Sequence, residues 1–423
     1  MEYSEKVIEL LNRSYSPFHV VKNLKDCLEE KGFKELKEDA PFSLKEGGRY
    51  YITRNGSALI AFEVPSSFKN SAFRISASHT DSPTFKIKPT PVLKYKNLLS
   101  LNVEPYGGMI DSTWMDRPLS FAGRVFFLDE NSKMKQELLQ IDEDLLVIPN
   151  LCIHFNRDIN NGYKFNPAKD MIPLLGIDKD FDFNKYLLSK IDGAKEILSF
   201  DLFLYNRDKA RRVGLHKEFL SSPRLDDLSS TYSVLLGFLD ANPTYFNVYC
   251  AFDNEEVGSL TKQGAYGTFL ADTMKRISNA FSLPAEEMLA RSILISVDNA
   301  HANHPNHPEI SDASTSVLLN EGIVIKYNAN QTYTTDGLSA ALLKNIVKNA
   351  NIPFQDFTNR SDLRGGSTLG NLSNNQMSIN SVDIGLAQLA MHSSNELCGV
   401  KDIDTMSQLM KEFFSSKVEI KSL

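Results

Sequence analysis

Five segments of the chain place an acid or an imidazole directly after an apolar run, where such groups could meet in one site. They read SASHTDSP, SPRLDDLSS, AFDNEEVGS, ISVDNAHANHPN and LAMHSSNE. The candidate metal ligands that they offer are His79, Asp226, Glu256, Asp298 and His392. Imidazoles and carboxylates without a thiolate suit zinc, or a harder divalent metal, in a catalytic site. Five ligands are enough for two metals if one ligand bridges them.

The HTD segment pairs an imidazole with a nearby carboxylate. His79 and Asp81 are two residues apart at the end of a predicted strand, so both side chains point to one side. A carboxylate in that position can orient an imidazole on a metal. The alternative for the motif by itself is a surface turn.

Two adjacent aspartates stand where a helical pattern begins. Asp226 and Asp227 follow Pro223 and Arg224, so one interpretation is that they cap a helix N-terminus. The functional interpretation is that Asp226 bridges two metals. Only a carboxylate has two oxygens that can hold both cations and offset part of their repulsion.

The acidic run from Asp253 to Glu256 follows a strand rich in aromatic residues, where adjacent acids are costly without cations or solvent. Adjacent glutamates suit a division of labour. One glutamate can bind metal, while the other, as a general base, needs to lie near the nucleophile without being coordinated. A solvated charge run is the alternative.

Histidines follow Asp298 at three-residue spacing, which resembles a metal site. Pro305 and Pro308 interrupt any helix that would align His301, His304 and His307, so we expect these histidines to line or brace a cleft. His392 follows an apolar run, and a lone histidine there is usually a hydrogen-bonded core residue. Its status as a ligand candidate depends on the other four.

The pattern of elements indicates an α/β fold. Apolar spacing predicts two short helices near the N-terminus, a strand from Ala72 to His79, and alternating helices and strands after Glu218. Such alternation is typical of a mostly parallel central sheet flanked by helices, which collects ligands at the carboxyl ends of its strands. The candidate residues fall at those ends.

A different pattern occupies the middle of the chain. From about Thr90 to Glu218, alternating apolar runs are broken by glycine and proline. We therefore predict a catalytic domain made of residues 1–90 and 219–423, interrupted by an inserted strand-rich domain at 91–218.

Composition excludes several classes of protein. The chain has 423 residues, of which 42% are hydrophobic and 23% charged, and its net charge is −7, which argues against nucleic-acid binding. The charged N-terminal segment lacks the pattern of a signal peptide, and no apolar stretch is of membrane-spanning length. A cytoplasmic protein is expected. The four cysteines are scattered, without the spacing of a disulfide or thiolate-metal framework.

Taken together, these segments resemble the aspartyl aminopeptidase family of dinuclear zinc metallopeptidases. HTDSP, SPRLD, DNEEVGS, D-x-AH-x-x-HPN, GSTLG and QLAMHS occur in the family's order over nearly the whole chain. The resemblance implies two zinc ions per subunit, with cobalt or manganese as possible replacements, acting on peptides with a free N-terminus. It implies that His79, Asp226 and Asp298 hold one zinc and that Asp226, Glu256 and His392 hold the other. Glu255 would be the general base and later the general acid, with Asp81 orienting His79.

The resemblance extends to the inserted segment. GGMIDSTWMDRPLSFAGRV and IPNLCIHFNR match its characteristic segments, which implies dimerisation through this domain and assembly of dimers into a dodecamer. His154 would then reach a neighbouring subunit's site and stabilise the oxyanion, although the sequence alone shows only a histidine at a predicted strand end.

The family's preference for acidic N-terminal residues requires a cation in the specificity pocket. Lys326 is the most similar position, with a solvated lysine as the alternative, and Asp362, Ser367 and Thr368 are candidate cleft residues. Two departures bear on that preference. Thr332 replaces a frequent arginine, and Gly365 replaces a frequent cysteine. The competing functions are a related metallo-carboxypeptidase or deacylase and a catalytically inactive metal-binding paralogue.

Overall fold

The structure is a computed structural model that describes residues 2–68, 71–363, 365–366 and 368–418. Its α-helices are α1 (Tyr3–Leu11), α2 (Pro17–Glu30), α3 (Phe183–Leu188), α4 (Leu225–Leu239), α5 (Phe269–Ala280), α6 (Ala285–Ala290), α7 (Gly337–Asn349), α8 (Leu369–Met377) and α9 (Val400–Ser415). Its first ten strands are β1 (Lys34–Glu35), β2 (Arg49–Arg54), β3 (Ala58–Glu63), β4 (Phe73–His79), β5 (Thr84–Tyr95), β6 (Leu98–Tyr106), β7 (Leu119–Asp129), β8 (Met134–Gln140), β9 (Leu174–Gly176) and β10 (Ala194–Asn206). The remaining strands are β11 (Arg211–Val213), β12 (Phe219–Ser222), β13 (Phe246–Phe252), β14 (Ile293–Val297), β15 (Ala300–His301), β16 (Ile323–Tyr327), β17 (Phe354–Thr358), β18 (Asn380–Gly385), β19 (Ala387–Leu389) and β20 (Glu396–Gly399).

The central sheet has nine strands in the order β1-β2-β3-β13-β4-β14-β18-β16-β17. Its middle strands β13, β4, β14 and β18 are mutually parallel. Antiparallel pairings join β2 to β3, β3 to β13 and β16 to β18. The predicted α/β class with a mostly parallel central sheet is therefore confirmed.

Helices cover both faces of this sheet. One apolar core joins α1, α2, α4, α7 and α9 to one face, and a second core joins α5, α6 and α8 to the other. Alternate residues of one strand enter opposite cores, as Ile293 and Leu294 of β14 do. The strand ending at His79 is buried along its whole length. The polar side chains of its period-two pattern are therefore buried too, and α4 packs against this strand.

A second sheet of six strands, in the order β8-β7-β10-β5-β6-β9, is antiparallel throughout and has its own apolar core. The aromatic residues Phe85, Trp114 and Phe121 lie in that core. This sheet supplies the strand-rich segment expected from the sequence, although it begins at Thr84, so the predicted boundary at residue 90 falls inside β5. The division into domains stays a prediction.

A third sheet has five strands in the order β11-β12-β20-β19-β15. In its antiparallel pairing of β12 with β20, Ser222 lies opposite Glu396. This pairing brings the segment before α4 next to the segment after His392. Among the described residues, no helix combines the length and apolar character that crossing a membrane would need.

Candidate metal centre and active site

The candidate ligands converge at the carboxyl edge of the central sheet. His79 is the last residue of β4, and Asp298 directly follows β14. The acidic run follows β13, with Glu255 and Glu256 in a short 3-10 turn. Because these three parallel strands are neighbours, their carboxyl ends meet at one edge, as expected for this class of sheet.

Among the described residues, three groups of three side chains come close enough to hold a metal, and two of these groups share Asp226. The first is His79, Asp226 and Asp298, and the second is Asp226, Glu256 and His392. Nε2 of His79 lies 3.5 Å from Oδ1 of Asp226, and Nε2 of His392 lies 3.4 Å from Oδ2 of the same aspartate. Asp226 therefore presents a different oxygen to each group.

The chemistry of these donors fits divalent cations. Oδ1 of Asp226 and Oε1 of Glu256 are buried and have no hydrogen-bond partner among the described residues. Burial and the neighbouring Asp226 raise the pKa of Glu256 well above its ordinary value, and burial raises that of Asp298 to about 6. Buried carboxylates packed in this way repel one another. A bound cation would satisfy the free oxygens and lower the pKa of each ligand.

The carboxylate of Asp226 contacts two histidines and does not cap the N-terminus of α4. Burial alone would raise the pKa of Asp226, but the contacts from His392 and His79 outweigh it and hold that pKa below its usual range. Asp226 and Asp227 have non-helical backbone angles. The side chain of Asp226 faces the two imidazoles, which is the placement that the bridging interpretation requires and the capping interpretation does not.

Asp81 contacts more of the site than the sequence suggested. Its Oδ1 lies 3.4 Å from Nδ1 of His79, and its two oxygens accept hydrogen bonds from the backbone N–H groups of Glu255 and Glu256, each at 3.1 Å. Tyr106 from the six-stranded sheet donates its hydroxyl to Oδ2 at 2.7 Å. Asp81 thus fixes both the first imidazole and the adjacent glutamates.

Glu255 lies beside the cluster without belonging to either group that shares Asp226. It forms a further candidate group with His79 and Glu256. Burial raises the pKa of Glu255 to about 8. A carboxyl group with an elevated pKa next to the candidate ligands has the position expected of a proton acceptor and donor.

His392 is fixed by two parts of the chain. Its Nδ1 bonds the carbonyl oxygen of Gly108 at 2.6 Å, and its carbonyl accepts from the N–H of Ile110 at 2.9 Å, so a segment after β6 orients the ring. Burial lowers the pKa of His392, but the hydrogen bond to Asp226 outweighs this effect and raises it to about 9. The backbone of His392 is left-handed, with φ 65°.

Sequence reasoning gave no role in the metal site to three buried polar residues that lie beside the candidate ligands. Glu396 accepts from the backbone N–H groups of Asp226 and His392, Asp227 accepts from the N–H of His79, and Asn299 donates to the carbonyl of Leu225. All three lie inside segments described above, where Asp227 was considered only as a helix cap. Their signal was therefore present, but only their contacts separate them from ordinary polar neighbours.

The histidines after Asp298 do not join the candidate metal groups found among the described residues. His304 and His307 lie with ring centroids 5.2 Å apart, and His307 pairs with Glu309. His301 lies in β15 and is exposed.

The structure places Lys326 beneath the cluster rather than in solvent. Its side chain is buried, and Nζ donates to the carbonyl oxygens of Asp298 at 2.8 Å and Asn299 at 3.3 Å. Nζ also lies 3.8 Å from Oδ2 of Asp298 and 5.2 Å from the ring centre of Tyr333. The solvated-lysine alternative is therefore wrong.

The other sequence-derived candidates lie apart from the cluster. Asp362 is exposed and pairs with Arg360 at 2.6 Å. His154 is exposed in a series of turns, so the expected strand end is not found there. Thr368 is buried and donates to Asp383, while Ser367 lies outside the described residues.

The two departures from the resemblance also have positions. The Thr332 hydroxyl is buried without a hydrogen-bond partner among the described residues. The side chain of Asn359 fills the space that a Cβ at Gly365 would enter.

Comparison with known proteins gives a consistent result. The sequence model of the family described as Aminopeptidase I zinc metalloprotease (M18) matches residues 10–414. The chain is 45% identical over 428 residues to the probable M18 family aminopeptidase 2 of Clostridium acetobutylicum, covering 98% of this chain and 99% of that protein.

Solved structures agree in fold. The structure of mApe1 from Chaetomium thermophilum superimposes with a TM-score of 0.88 at 30% identity, covering 97% of both chains. The mApe1 dodecamer of S. cerevisiae gives a TM-score of 0.86 at 26% identity, covering 97% of this chain and 96% of that one. The chain therefore belongs to the M18 family of aminopeptidases, the Aminopeptidase I zinc metalloproteases.

Proposed function

We propose that this chain binds two zinc ions and hydrolyses the peptide bond after a free N-terminal residue. The observation that carries the proposal is the pair of candidate metal groups that share Asp226. A carboxylate can bridge two metals through its two oxygens, and Asp226 presents Oδ1 on the side of His79 and Oδ2 on the side of His392. His79 and Asp298 complete one site, and Glu256 and His392 complete the other.

When bound, the two ions would supply Lewis acidity toward the scissile carbonyl and the attacking water, and a point of attachment for the substrate's free amine. Glu255 then takes a proton from that water and returns it to the leaving amine. The pKa of Glu255, about 8 in the protein alone, would fall near divalent cations. Glu255 can then accept a proton near neutral pH, which is what a general base requires.

The rigidity of the base is supplied by Asp81. Because both N–H groups of the Glu255–Glu256 pair donate to one carboxylate, the glutamate that moves the proton and the glutamate that holds metal keep a fixed separation. Fixed separation matters, since a small displacement of a catalytic group can slow a reaction substantially.

The preferred substrates carry Asp or Glu at the N-terminus. Support comes from the positive charge of Lys326. Burial alone would lower the pKa of this lysine, but Asp298 and other nearby groups outweigh that effect and raise the pKa, so the ammonium stays charged beside the cluster. Two of its donors go to backbone carbonyls. An ammonium has three donors. Beyond these two bonds Nζ lies 3.8 Å from Oδ2 of Asp298, so a substrate carboxylate would compete with that oxygen for the third donor.

The active form is an oligomer built from dimers, with a dodecamer as the expected assembly. A relative of the same fold has been solved as a dodecamer. In this chain, the segment around His154 exposes Leu151, Ile153 and Phe155, the last with 81% of its surface accessible. Neighbouring exposed apolar side chains of this kind are typical of a surface that another subunit covers. His154 would enter the partner's site from this segment and stabilise the oxyanion.

The test is release of the N-terminal residue from peptides led by Asp, Glu, Leu or Lys, using metal-depleted and zinc-restored protein. Zinc-dependent cleavage led by Asp or Glu is the expected result. Cleavage with another order would remove the acidic preference and keep the mechanism. Equal cleavage of an N-acetylated peptide would assign the chain to a deacylase activity, and no cleavage with any divalent metal would make it an inactive paralogue.

A further inference from the structure

Glu396, the first residue of β20, is a buried carboxylate that lies between two candidate metal ligands from distant parts of the chain. Only 3% of its surface is accessible. Its Oε2 accepts from the backbone N–H of Asp226 at 3.0 Å, and its Oε1 accepts from the backbone N–H of His392 at 2.7 Å. Each oxygen therefore binds a different ligand residue through the main chain.

The placement of Glu396 follows from the third sheet. Glu396 lies opposite Ser222 in the pairing of β12 with β20. Ser222 is four residues before Asp226, and Glu396 is four residues after His392. Both ligands lie in irregular backbone, because Asp226 is non-helical and His392 is left-handed. Regular secondary structure does not fix such segments, so their positions depend on the hydrogen bonds that they make.

Glu396 does not act as a ligand itself. It belongs to none of the candidate metal groups found among the described residues, whereas Asp226 belongs to two and His392 to one. Residues that orient metal ligands usually contact the side chain of the ligand. Glu396 instead accepts hydrogen bonds from the backbone N–H groups of Asp226 and His392, so it fixes the main-chain positions from which these two side chains extend.

We propose that Glu396 is a positioning residue that holds Asp226 and His392 in register and thereby sets the affinity of the second metal site. This inference rests on the proposed dinuclear function. The second site, formed by Asp226, Glu256 and His392, contains both residues that Glu396 holds. The first site, formed by His79, Asp226 and Asp298, contains only one of the two residues that Glu396 holds, so we expect it to depend less on Glu396.

The test uses Glu396→Gln, which has the same shape but only one acceptor oxygen. One of the two N–H groups would then face an amide N–H₂ instead of an oxygen. We expect the affinity for one of the two zinc ions, measured by competition with a chromophoric chelator, to fall by about 10- to 100-fold. We expect the affinity for the other zinc ion to be nearly unchanged. The visible spectrum of the cobalt-substituted protein should change for one equivalent of cobalt and not for the other.

Asp402→Asn is the matched control. Asp402 is also buried and also accepts from two backbone N–H groups, those of Asn320 at 2.6 Å and Gly322 at 2.9 Å. It lies in α9 outside the candidate metal groups, so its substitution should lower thermal stability while leaving both zinc affinities and the cobalt spectrum as in wild type.

The outcomes separate the two proposals. Wild-type protein that binds fewer than two metals overturns the dinuclear function itself. Two metals in wild type, with both affinities and both cobalt spectra retained in Glu396→Gln, overturn the role of Glu396 alone. If Glu396→Gln fails to fold, Glu396→Asp carries the same test, because the shorter side chain withdraws both oxygens from the two N–H groups.

Discussion

Oδ1 of Asp81 accepts a hydrogen bond from the backbone N–H of Glu255 at 3.1 Å, although the two residues are 174 positions apart in the chain. The other oxygen accepts from Glu256 and from the Tyr106 hydroxyl. The carboxylate that lies 3.4 Å from Nδ1 of His79 therefore also holds the backbone of the proposed base.

The first prediction concerns that carboxylate. Asp81→Asn keeps the shape but loses one acceptor, so we expect kcat to fall by about 10- to 100-fold with a smaller change in KM. Steady-state kinetics at saturating zinc measure both parameters. Tyr106→Phe removes only one of the bonds to Asp81 and should show a smaller fall. A kcat equal to wild type in Asp81→Asn would contradict the positioning role.

The second prediction separates the adjacent glutamates. Glu255→Gln should retain two metals and lose about 10²- to 10⁴-fold in kcat, since it removes the proton acceptor. Glu256→Gln should lose affinity for one metal, because it removes a ligand. Metal content by mass spectrometry and turnover on one peptide distinguish them. Near-normal turnover of Glu255→Gln would remove it from the base role.

Part of the site could be predicted from the sequence because His79 and Asp298 lie at the carboxyl ends of buried strands of seven and five residues. His79 and Asp298 end buried runs that are hydrophobic enough to be recognised as strands, and parallel strands bring their carboxyl ends together. The order of the strands in the sheet could not be derived in this way, since pairing depends on contacts between distant segments.

The remaining parts of the site depend on structure that carries little local signal. Glu396 lies in a strand of four residues, and the third sheet is assembled from strands of two to four residues, too short for a period to be recognised. The burial of Lys326 could not be predicted either. A lysine near a strand end is usually solvated, and only the carbonyls of Asp298 and Asn299 explain its position.

The third prediction concerns substrate preference. Lys326→Met removes the charge and keeps most of the apolar length, so we expect kcat/KM to fall about 10-fold or more on an Asp-led peptide relative to a Leu-led peptide, a difference of about 1.4 kcal/mol. The ratio of the two kcat/KM values is the measurement. An equal fall on both peptides would instead assign Lys326 to the support of Asp298.

The fourth prediction is a pH effect on stability outside the site. Glu63 is 2% exposed and pairs with Arg49 at 3.0 Å, and burial raises its pKa to about 7. The folded protein therefore binds a proton that the unfolded chain releases near pH 4.5. The stabilisation associated with that proton is fully present below pH 4.5 and is lost as pH rises through 7.

Glu63→Gln removes this titration. Between pH 4.5 and 8, the unfolding free energy of the variant should rise relative to wild type by up to about 3 kcal/mol. Thermal unfolding of both proteins across that range measures the difference. Substitution of the exposed Glu137 by Gln is the control, and a Glu63→Gln difference that does not grow with pH would show that Glu63 stays ionised in the folded state.

The fifth prediction tests whether two subunits build one active site. His154 is exposed on a segment rich in exposed apolar side chains, and the proposed oxyanion contact places it in a neighbour's site. His154→Phe should assemble normally, as judged by light scattering, and lose about 10²- to 10³-fold in kcat, the usual effect of removing an oxyanion donor.

Mixed oligomers give a sharper result. Glu255→Gln subunits supply an intact His154, and His154→Phe subunits supply an intact Glu255. If the histidine acts across the interface, co-expressed and co-purified mixtures contain sites with both groups intact, and activity should rise well above that of either variant alone. If His154 acts within its own chain, every site in the mixture lacks one group. Activity of the mixture would then stay at the average of the two variants.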